Sequence, residues 1–208
     1  MERDKALNQK QRQSLTIINQ SGKHLLHLIN DVLEMSRIEA GRTVLNCKPF
    51  DLQQLLHHLE QMFRLKAEAK GLSLQFHLAA NLPRYLNSDE SKLRQVLINL
   101  LDNAIKFTQK GGVRLHVRET KIPQNRTNNS AQLAIAFTIE DTGIGISAAE
   151  RKQLFEPFFQ TENNINSGGT GLGLAISRYF IRLMGGDLHL LSTVGEGSTF
   201  LQNKEQKY

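Results

Sequence analysis

Asn99 and Asn103 stand four residues apart and Lys106 follows three later, so on a helix the three side chains share one face. Around them Val96, Leu97, Leu100, Leu101, Ala104 and Ile105 are apolar and predict burial of most of that helix. Two amides and an ammonium beside such a core need hydrogen-bond or charge partners. Taken alone, Asn103 and Lys106 fit solvated helix positions as well as a polar strip facing a phosphate and its metal ion. A second candidate is DTGIGI (141 to 146), directly after an expected strand. Gly143 and Gly145 allow close backbone approach to a flat ligand, and the Asp141 carboxylate can accept a hydrogen bond from an amino group. On its own this segment is equally compatible with an ordinary turn. The third is GGTGLGLAISRYF (168 to 180), with Gly169, Gly171 and Gly173 at the opening of a helix. Free N–H groups and the positive end of the helix dipole suit phosphate oxygens there. It lacks the Gly-Lys-Ser/Thr of a Walker P-loop. A flexible loop rather than a strand precedes it, unlike a dinucleotide fingerprint. A last glycine pair follows in GEGSTF (195 to 200).

The elements that must position these residues are legible from periodicity. From about Lys5 to Ala40 the chain has no proline and spaces Leu15, Ile18, Gly22, Leu25, Ile29 and Val32 by threes and fours, ending at Gly41. That pattern fits a long amphipathic helix or half of a dimerising hairpin; Leu26, Leu28 and Leu33 widen its apolar face. Thereafter the pattern is mixed. A strand is expected at Val44 to Phe50, with Pro49 suggesting an edge, then a helix capped by Asp51 to about Lys70, and a strand at Leu72 to Leu78. Ser88-Asp89-Glu90 opens the apolar helix that stops before Gly111-Gly112. Strands follow at Val113 to Glu119 and Leu133 to Glu140, joined by the polar loop KIPQNRTNNS. Ser147 starts a short helix, Thr170 to Met184 a longer one, and Asp187 to Thr193 and Ser198 to Leu201 are the last strands. Strands and helices segregate, which predicts an α+β fold, a two-layer sandwich of one mixed sheet under helices.

Composition narrows the class. The 208 residues carry 26 Lys+Arg against 20 Asp+Glu, but the basic residues are scattered without interleaved aromatics, so no nucleic-acid partner is expected. No segment approaches a membrane span and the start is too polar for a signal peptide, so a soluble, cytoplasmic chain is expected. The single cysteine, Cys47, has no second thiol for a disulfide or zinc site.

In this order and at these separations the segments resemble the N, G1, F, G2 and G3 boxes of the histidine-kinase ATPase domain. The corresponding stretches are RQVLINLLDNAIKFT (94 to 108), DTGIGI, LFEPFFQ (154 to 160), GGTGLGLAI (168 to 176) and GEGSTF. LINDVLEMSRIEAG (28 to 41) is similar to the second helix of the dimerisation and phosphoacceptor domain. The resemblance implies the Bergerat-type ATP-binding fold over residues 43–208, with a lid at about 156–170, after a partial dimerisation helix over 1–42. It further implies Mg²⁺ held through Asn103 with Asn99 assisting, and Lys106 on phosphate. Asp141 would take the adenine amino group, with Gly143, Gly145, Ile146 and Thr199 around the base. Gly169, Thr170, Gly171, Leu172, Gly173 and Leu174 would meet the phosphates, with Phe158 and Phe159 anchoring the lid.

The implied activity is transfer of the γ-phosphoryl group of Mg-ATP to a histidine, for relay to the aspartate of a response-regulator receiver domain. Related ATPases of the gyrase and MutL type carry Glu where this chain has Asn99; an amide cannot take a proton from water, which favours a kinase over a hydrolase. The family's usual acceptor motif, a His followed by an acidic residue and an Arg-Thr-Pro-like segment, is not found in these residues. His24 and His27 lie in SGKHLLHL on the other helix of the hairpin, and His57, His58, His77, His116 and His189 fall on domain helices and strands. The expected partners are therefore a histidine-bearing helix in trans or in a longer parent, and a second copy through the N-terminal helix. The alternatives are a non-catalytic ATP-binding or dimerisation fragment and a serine kinase of the anti-sigma type. The polar tail after Phe200 suggests a frayed sheet edge.

Overall fold

The computed structural model describes residues 9–121, 133–161 and 169–203. The chain divides into two units, Met1–Arg42 and Thr43–Tyr208.

Among the described residues the first unit is one helix, α1 (Gln9–Glu39). Gly41, at φ +63°, closes it: its N–H bonds the Ile38 carbonyl at 3.0 Å and the Arg42 N–H reaches back to the Arg37 carbonyl at 3.0 Å, which satisfies carbonyls the helix leaves open. Leu15, Ile18, Leu25, Leu26, Ile29, Val32 and Leu33 are all exposed, so among the described residues the apolar seam stays uncovered. His24 and His27 sit on this helix; their side chains lie outside the described residues.

In the second unit the helices begin where short carboxylates can take their free N–H groups. Asp51 accepts from Gln54 N at 3.0 Å and opens α2 (Leu52–Ala69). Asp89 accepts from Lys92 N at 3.1 Å and opens α3 (Glu90–Phe107). Each helix then turns an apolar face inward. Leu52, Leu55, Leu56, Leu59, Phe63 and Ala67 of α2 are buried, as are Leu93, Val96, Leu97, Leu100, Leu101, Ala104 and Ile105 of α3. Fully burying a side chain such as Phe63 contributes roughly 1.5–3 kcal/mol. A short helix, α4 (Ala148–Gln153), starts on a capping box of Ser147 and Glu150. The last helix, α5 (Gly173–Leu183), buries Ile176, Ser177, Phe180 and Ile181 and packs against α3.

Of these, α2, α3 and α5 cover one face of a five-stranded sheet. Its strands are β2 (Ser73–Leu78), β4 (Gly112–Lys121), β5 (Leu133–Asp141), β7 (Gly197–Asn203) and β6 (Asp187–Thr193), in the spatial order β2-β4-β5-β7-β6. Only the β2–β4 pair is parallel. Val113, Leu115, Val117, Phe137, Ile139, Leu188 and Phe200 supply the inner face. The architecture is thus the two-layer sandwich the patterning predicts.

Three expectations need correction. The strand expected at Val44 to Phe50 is β1 (Lys48–Asp51) only, and it does not join the main sheet. It pairs antiparallel with β3 (Tyr85–Ser88), a strand the sequence pattern does not announce, in a separate two-stranded ribbon. The last helix starts at Gly173, because Gly171 lies at φ +71°, outside helical geometry. And the final strand is not a fraying edge: β7 lies between β5 and β6 and pairs with both, so the edges are β2 and β6. Most of the loop between β4 and β5, residues 122–132, lies outside the described residues.

Candidate functional site

The start of α3 is fixed by an almost fully buried carboxylate. Burial opposes the charge of Asp89, but hydrogen bonds from Asn46 N (2.9 Å), the Ser91 hydroxyl (2.7 Å) and Lys92 N outweigh it and hold the group below the ordinary carboxylate range. At the other end Lys70 Nζ donates to the carbonyls of Ile105 (2.8 Å) and Lys106 (2.9 Å), capping the negative end of the helix dipole. Anchored at both ends, α3 presents Asn99, Asn103 and Lys106 along a half-buried edge.

The three side chains differ in their surroundings. Asn99 Nδ2 donates to the buried Ser177 hydroxyl of α5 at 3.0 Å. That bond turns the amide oxygen toward the opening of α5, where a Cβ on Gly173 would lie only 2.4 Å from it. Lys106 lies 5.1 Å from the Phe107 ring centroid; burial lowers its pKa, Asp102 works against that shift and nearby Lys70 adds to it. An anion brought beside this ammonium would favour its charged form.

Asp141 ends β5, and the glycine loop after it is pressed against three other elements. A Cβ on Gly143 would meet the Phe107 carbonyl at 2.7 Å and the Asp141 Oδ1 at 2.8 Å. Gly145, at φ +67°, lies so close to β6 that a Cβ would fall 2.0 Å from the Thr193 carbonyl. The loop is pinned by Gly195 N to Ile144 O at 2.8 Å and by Ile146 N to the Ser192 hydroxyl at 2.8 Å. Burial pushes the Asp141 carboxyl up, and hydrogen bonds from the backbone N–H groups of Gly143 and Ser198 oppose this without cancelling it. A desolvated carboxylate held by two backbone donors is poised to accept from a ligand N–H.

The opening of α5 has no side-chain cap; Leu172 precedes it and makes no such bond. The positive end of its dipole and its first-turn N–H groups suit anionic oxygens, and the absence of a side chain on Gly173 lets the Asn99 amide oxygen approach them. The approach is held by paired contacts: Phe158 N to Gly171 O at 3.1 Å and Gln160 Nε2 to Gly169 O at 2.7 Å. Thr170 Oγ1 accepts from Leu172 N at 3.0 Å. Phe158 is exposed and sits at φ +64°, the one non-glycine in that region among the described residues, whereas Phe159 is half-buried. Residues 162–168, within the expected lid, lie outside the described residues. Leu174 is half-buried in the first turn of α5, and Leu172 is buried.

The structure thus brings Asn99 of α3 against the start of α5, and the Asp141 loop against Phe107 at the other end of that half-buried edge. It does not bring Thr199 to Asp141. Thr199 pairs with Glu140 and so points to the opposite face of the sheet, while Ser198 stands directly across from Asp141. Sequence reasoning also missed Ser177, whose hydroxyl orients Asn99; four residues beyond Gly173, it is one turn inside the helix and shares the face of that glycine.

With this geometry in place, comparison with known proteins is informative. The family described as "Histidine kinase-, DNA gyrase B-, and HSP90-like ATPase" matches residues 88–204, and the "His Kinase A (phospho-acceptor) domain" matches residues 1–41. The chain is 42% identical over 201 residues to the circadian input-output histidine kinase CikA of Synechococcus elongatus, covering 93% of this chain and 25% of that protein. It is 41% identical over 196 residues to the sensor protein GacS of Pseudomonas syringae pv. syringae, covering 93% and 21%. The chain therefore spans a quarter or less of the length of these two relatives. Among solved structures, full-length ShkA in complex with AMPPNP superposes with a TM-score of 0.75 at 32% identity, covering 97% of this chain and 40% of that one. Histidine kinase ThkA in complex with the response regulator TrrA gives a TM-score of 0.67 at 22% identity, covering 100% and 55%, a likeness of fold alone.

Proposed function

Starting from the chain's membership of the sensor histidine kinases, with their GHKL-type ATPase domain, we propose that it binds Mg-ATP and transfers the γ-phosphoryl group to a histidine. The observation that carries the reading is the meeting of the Asn99 amide oxygen with the uncapped start of α5. Asp141, on β5, supplies the other end of the site.

At that end the Asp141 carboxylate accepts from the adenine 6-amino group, and Gly143 and Gly145, lacking a Cβ, let the loop beside it pack against the end of α3 and against β6. At the phosphate end the α5 N–H groups and the Lys106 ammonium meet phosphate oxygens, supported by Gly169, Thr170 and Gly171 on the approach. Amide oxygens are hard donors suited to Mg²⁺. Among the described residues no cluster of His, Cys, Asp or Glu could hold a metal without the nucleotide. Asn103, with Asn99 beside it, would hold the ion together with the phosphates, and the ion would neutralise charge on them.

In the transfer itself the bond from the γ-phosphorus to the bridging oxygen breaks as a bond to an imidazole nitrogen forms, and ADP leaves with the electron pair. Positioning and charge neutralisation dominate such a step, so a site without a general base is adequate. An amide at position 99 cannot activate water, which favours transfer over hydrolysis. The accepting histidine comes from a helix in trans or in a longer parent, the exposed seam of α1 joins a second copy, and the phosphoryl group passes on to a receiver-domain aspartate.

The test is incorporation of label from γ-labelled Mg-ATP, by the purified chain alone and with a phosphoacceptor-helix domain added. Acid-labile label on the added histidine is expected. ATP binding with no transfer to any acceptor would leave a nucleotide-binding fragment, and label on His24 or His27 would replace the trans reading with a self-sufficient kinase.

A further inference from the structure

Ser192 of β6 belongs to none of the glycine motifs, yet its half-buried hydroxyl makes three contacts to two other segments of the site. Ile146 N donates to it at 2.8 Å, the Gly197 carbonyl lies at 2.9 Å and the Ser198 hydroxyl at 3.0 Å. A hydroxyl has one proton and two lone pairs. Because the Gly197 carbonyl can only accept, all three contacts are hydrogen bonds in one arrangement alone: Ser192 donates to Gly197 while Ile146 and Ser198 both donate to Ser192. The hydroxyl is then saturated.

The two segments it joins are those that hold Asp141. The glycine loop ending at Ile146 supplies the Gly143 N–H bound to the Asp141 carboxylate at 2.9 Å. The Gly197-Ser198 segment supplies the second backbone donor from the opposite side. Ser192, Ser198 and Asp141 also lie in one cross-strand row on the same face of the sheet. We propose that Ser192 is a positioning residue for nucleotide-base selection, clamping the loop and strand that aim the Asp141 carboxylate at a 6-amino purine. The inference rests on the reading of Asp141 as the adenine acceptor. ATP offers a donor to that carboxylate, whereas inosine triphosphate presents a 6-oxo group whose lone pairs face it. Selection between them therefore depends on how firmly the carboxylate is held.

The experiment measures Kd for Mg-ATP and Mg-ITP with the full chain, as wild type, Ser192→Ala, Ser192→Thr, Asp141→Asn and the Ser192→Ala/Asp141→Asn pair. Losing this hydrogen-bond clamp in Ser192→Ala is expected to cut the ATP preference by roughly 3- to 10-fold. Mg-ITP affinity should stay within about twofold, and Ser192→Thr should restore the preference through its retained hydroxyl. Added to Asp141→Asn, the Ser192→Ala change should have no further effect. Equal weakening of both nucleotides, or an unchanged ratio, would mean that Ser192 only supports the fold and would overturn the inference while leaving Asp141 in place. A wild type that does not distinguish the nucleotides, or an Asp141→Asn protein with the wild-type ratio, would overturn the Asp141 reading and this inference with it. Should Ser192→Ala fail to fold, Ser192→Cys, nearly isosteric and a weak hydrogen-bonder, carries the same expectation.

Discussion

Replacing Gly173 by Ala should separate nucleotide binding from folding. The added methyl would sit 2.4 Å from Asn99 Oδ1, 3.0 Å from its Cγ and 3.1 Å from Nδ2. No real Cβ contact is that close, so the amide must swing aside and release the buried Ser177 hydroxyl it now meets at 3.0 Å. Leaving that hydroxyl without its partner costs about 1–3 kcal/mol. Against this, Ala in place of Gly at a helix position returns up to about 1 kcal/mol. The net loss is roughly 0–3 kcal/mol, or at most about 12 °C in Tm for a domain of this size. Binding should suffer more, since the same movement takes the amide oxygen from the phosphates and places a methyl beside the N–H groups of α5. At least a 10-fold rise in Kd for Mg-ATP, about 1.4 kcal/mol, is expected by calorimetry on a sample whose Tm has been measured in parallel. The Asn99→Ala/Gly173→Ala pair removes the clash but still leaves the Ser177 hydroxyl without its Asn99 partner. It should exceed Asn99→Ala in stability by no more than the helix gain of Ala over Gly, and should not recover affinity. Wild-type affinity in Gly173→Ala would refute the argument that the phosphates lie between α3 and α5.

Further outcomes follow from the same contacts. Because the folded-state pKa of Asp141 is raised, its charged form costs stability above that pKa, and the cost disappears as pH falls through it. Asp141→Asn should therefore leave the nucleotide-free protein as stable or more stable at pH 7 while weakening ATP at least 10-fold, about 1.4 kcal/mol. Wild-type affinity should decline on acidification while an aspartate with the ordinary value of 3.8 is still ionised; urea melts and a binding pH profile check both. Asp89 has the opposite sign: its pKa is lowered, so its contribution is present above the ordinary carboxylate range and lost as pH falls through the folded value. Asp89→Ala removes the α3 cap and a buried acceptor, and should cost about 1–3 kcal/mol in urea unfolding at pH 7 and much less in acid. Gly145→Ala, with φ +67° and the Thr193 carbonyl 2.0 Å from the new Cβ, should cost at least about 2 kcal/mol. Gly195→Ala, at φ +84° with open space around it, should cost only about 1 kcal/mol by the same melts, and equal losses would show that the loop yields easily.

What the sequence determined by itself is what depends on neighbours along the chain. The caps at Asp51 and Asp89, the shared face of Asn99, Asn103 and Lys106, and the alternation of β4 and β5 all arise within one to four residues. The spaced motifs were legible for the same reason, since each glycine box is a local backbone requirement. Only the tertiary structure decided the rest. The pairing of β1 with β3, the interior place of β7 and the strand order join segments far apart in the chain, and no local period encodes which distant partner a strand finds. Register settled that Ser198 and not Thr199 shares the face of Asp141, because a shift of one residue reverses every side chain on a strand. Ser177 and Ser192 were likewise invisible, being ordinary serines until packing carries one to the Asn99 amide and the other between the Asp141 loop and β7. A hydroxyl's chemistry is set by the donors and acceptors brought around it, and here those come from elsewhere in the chain.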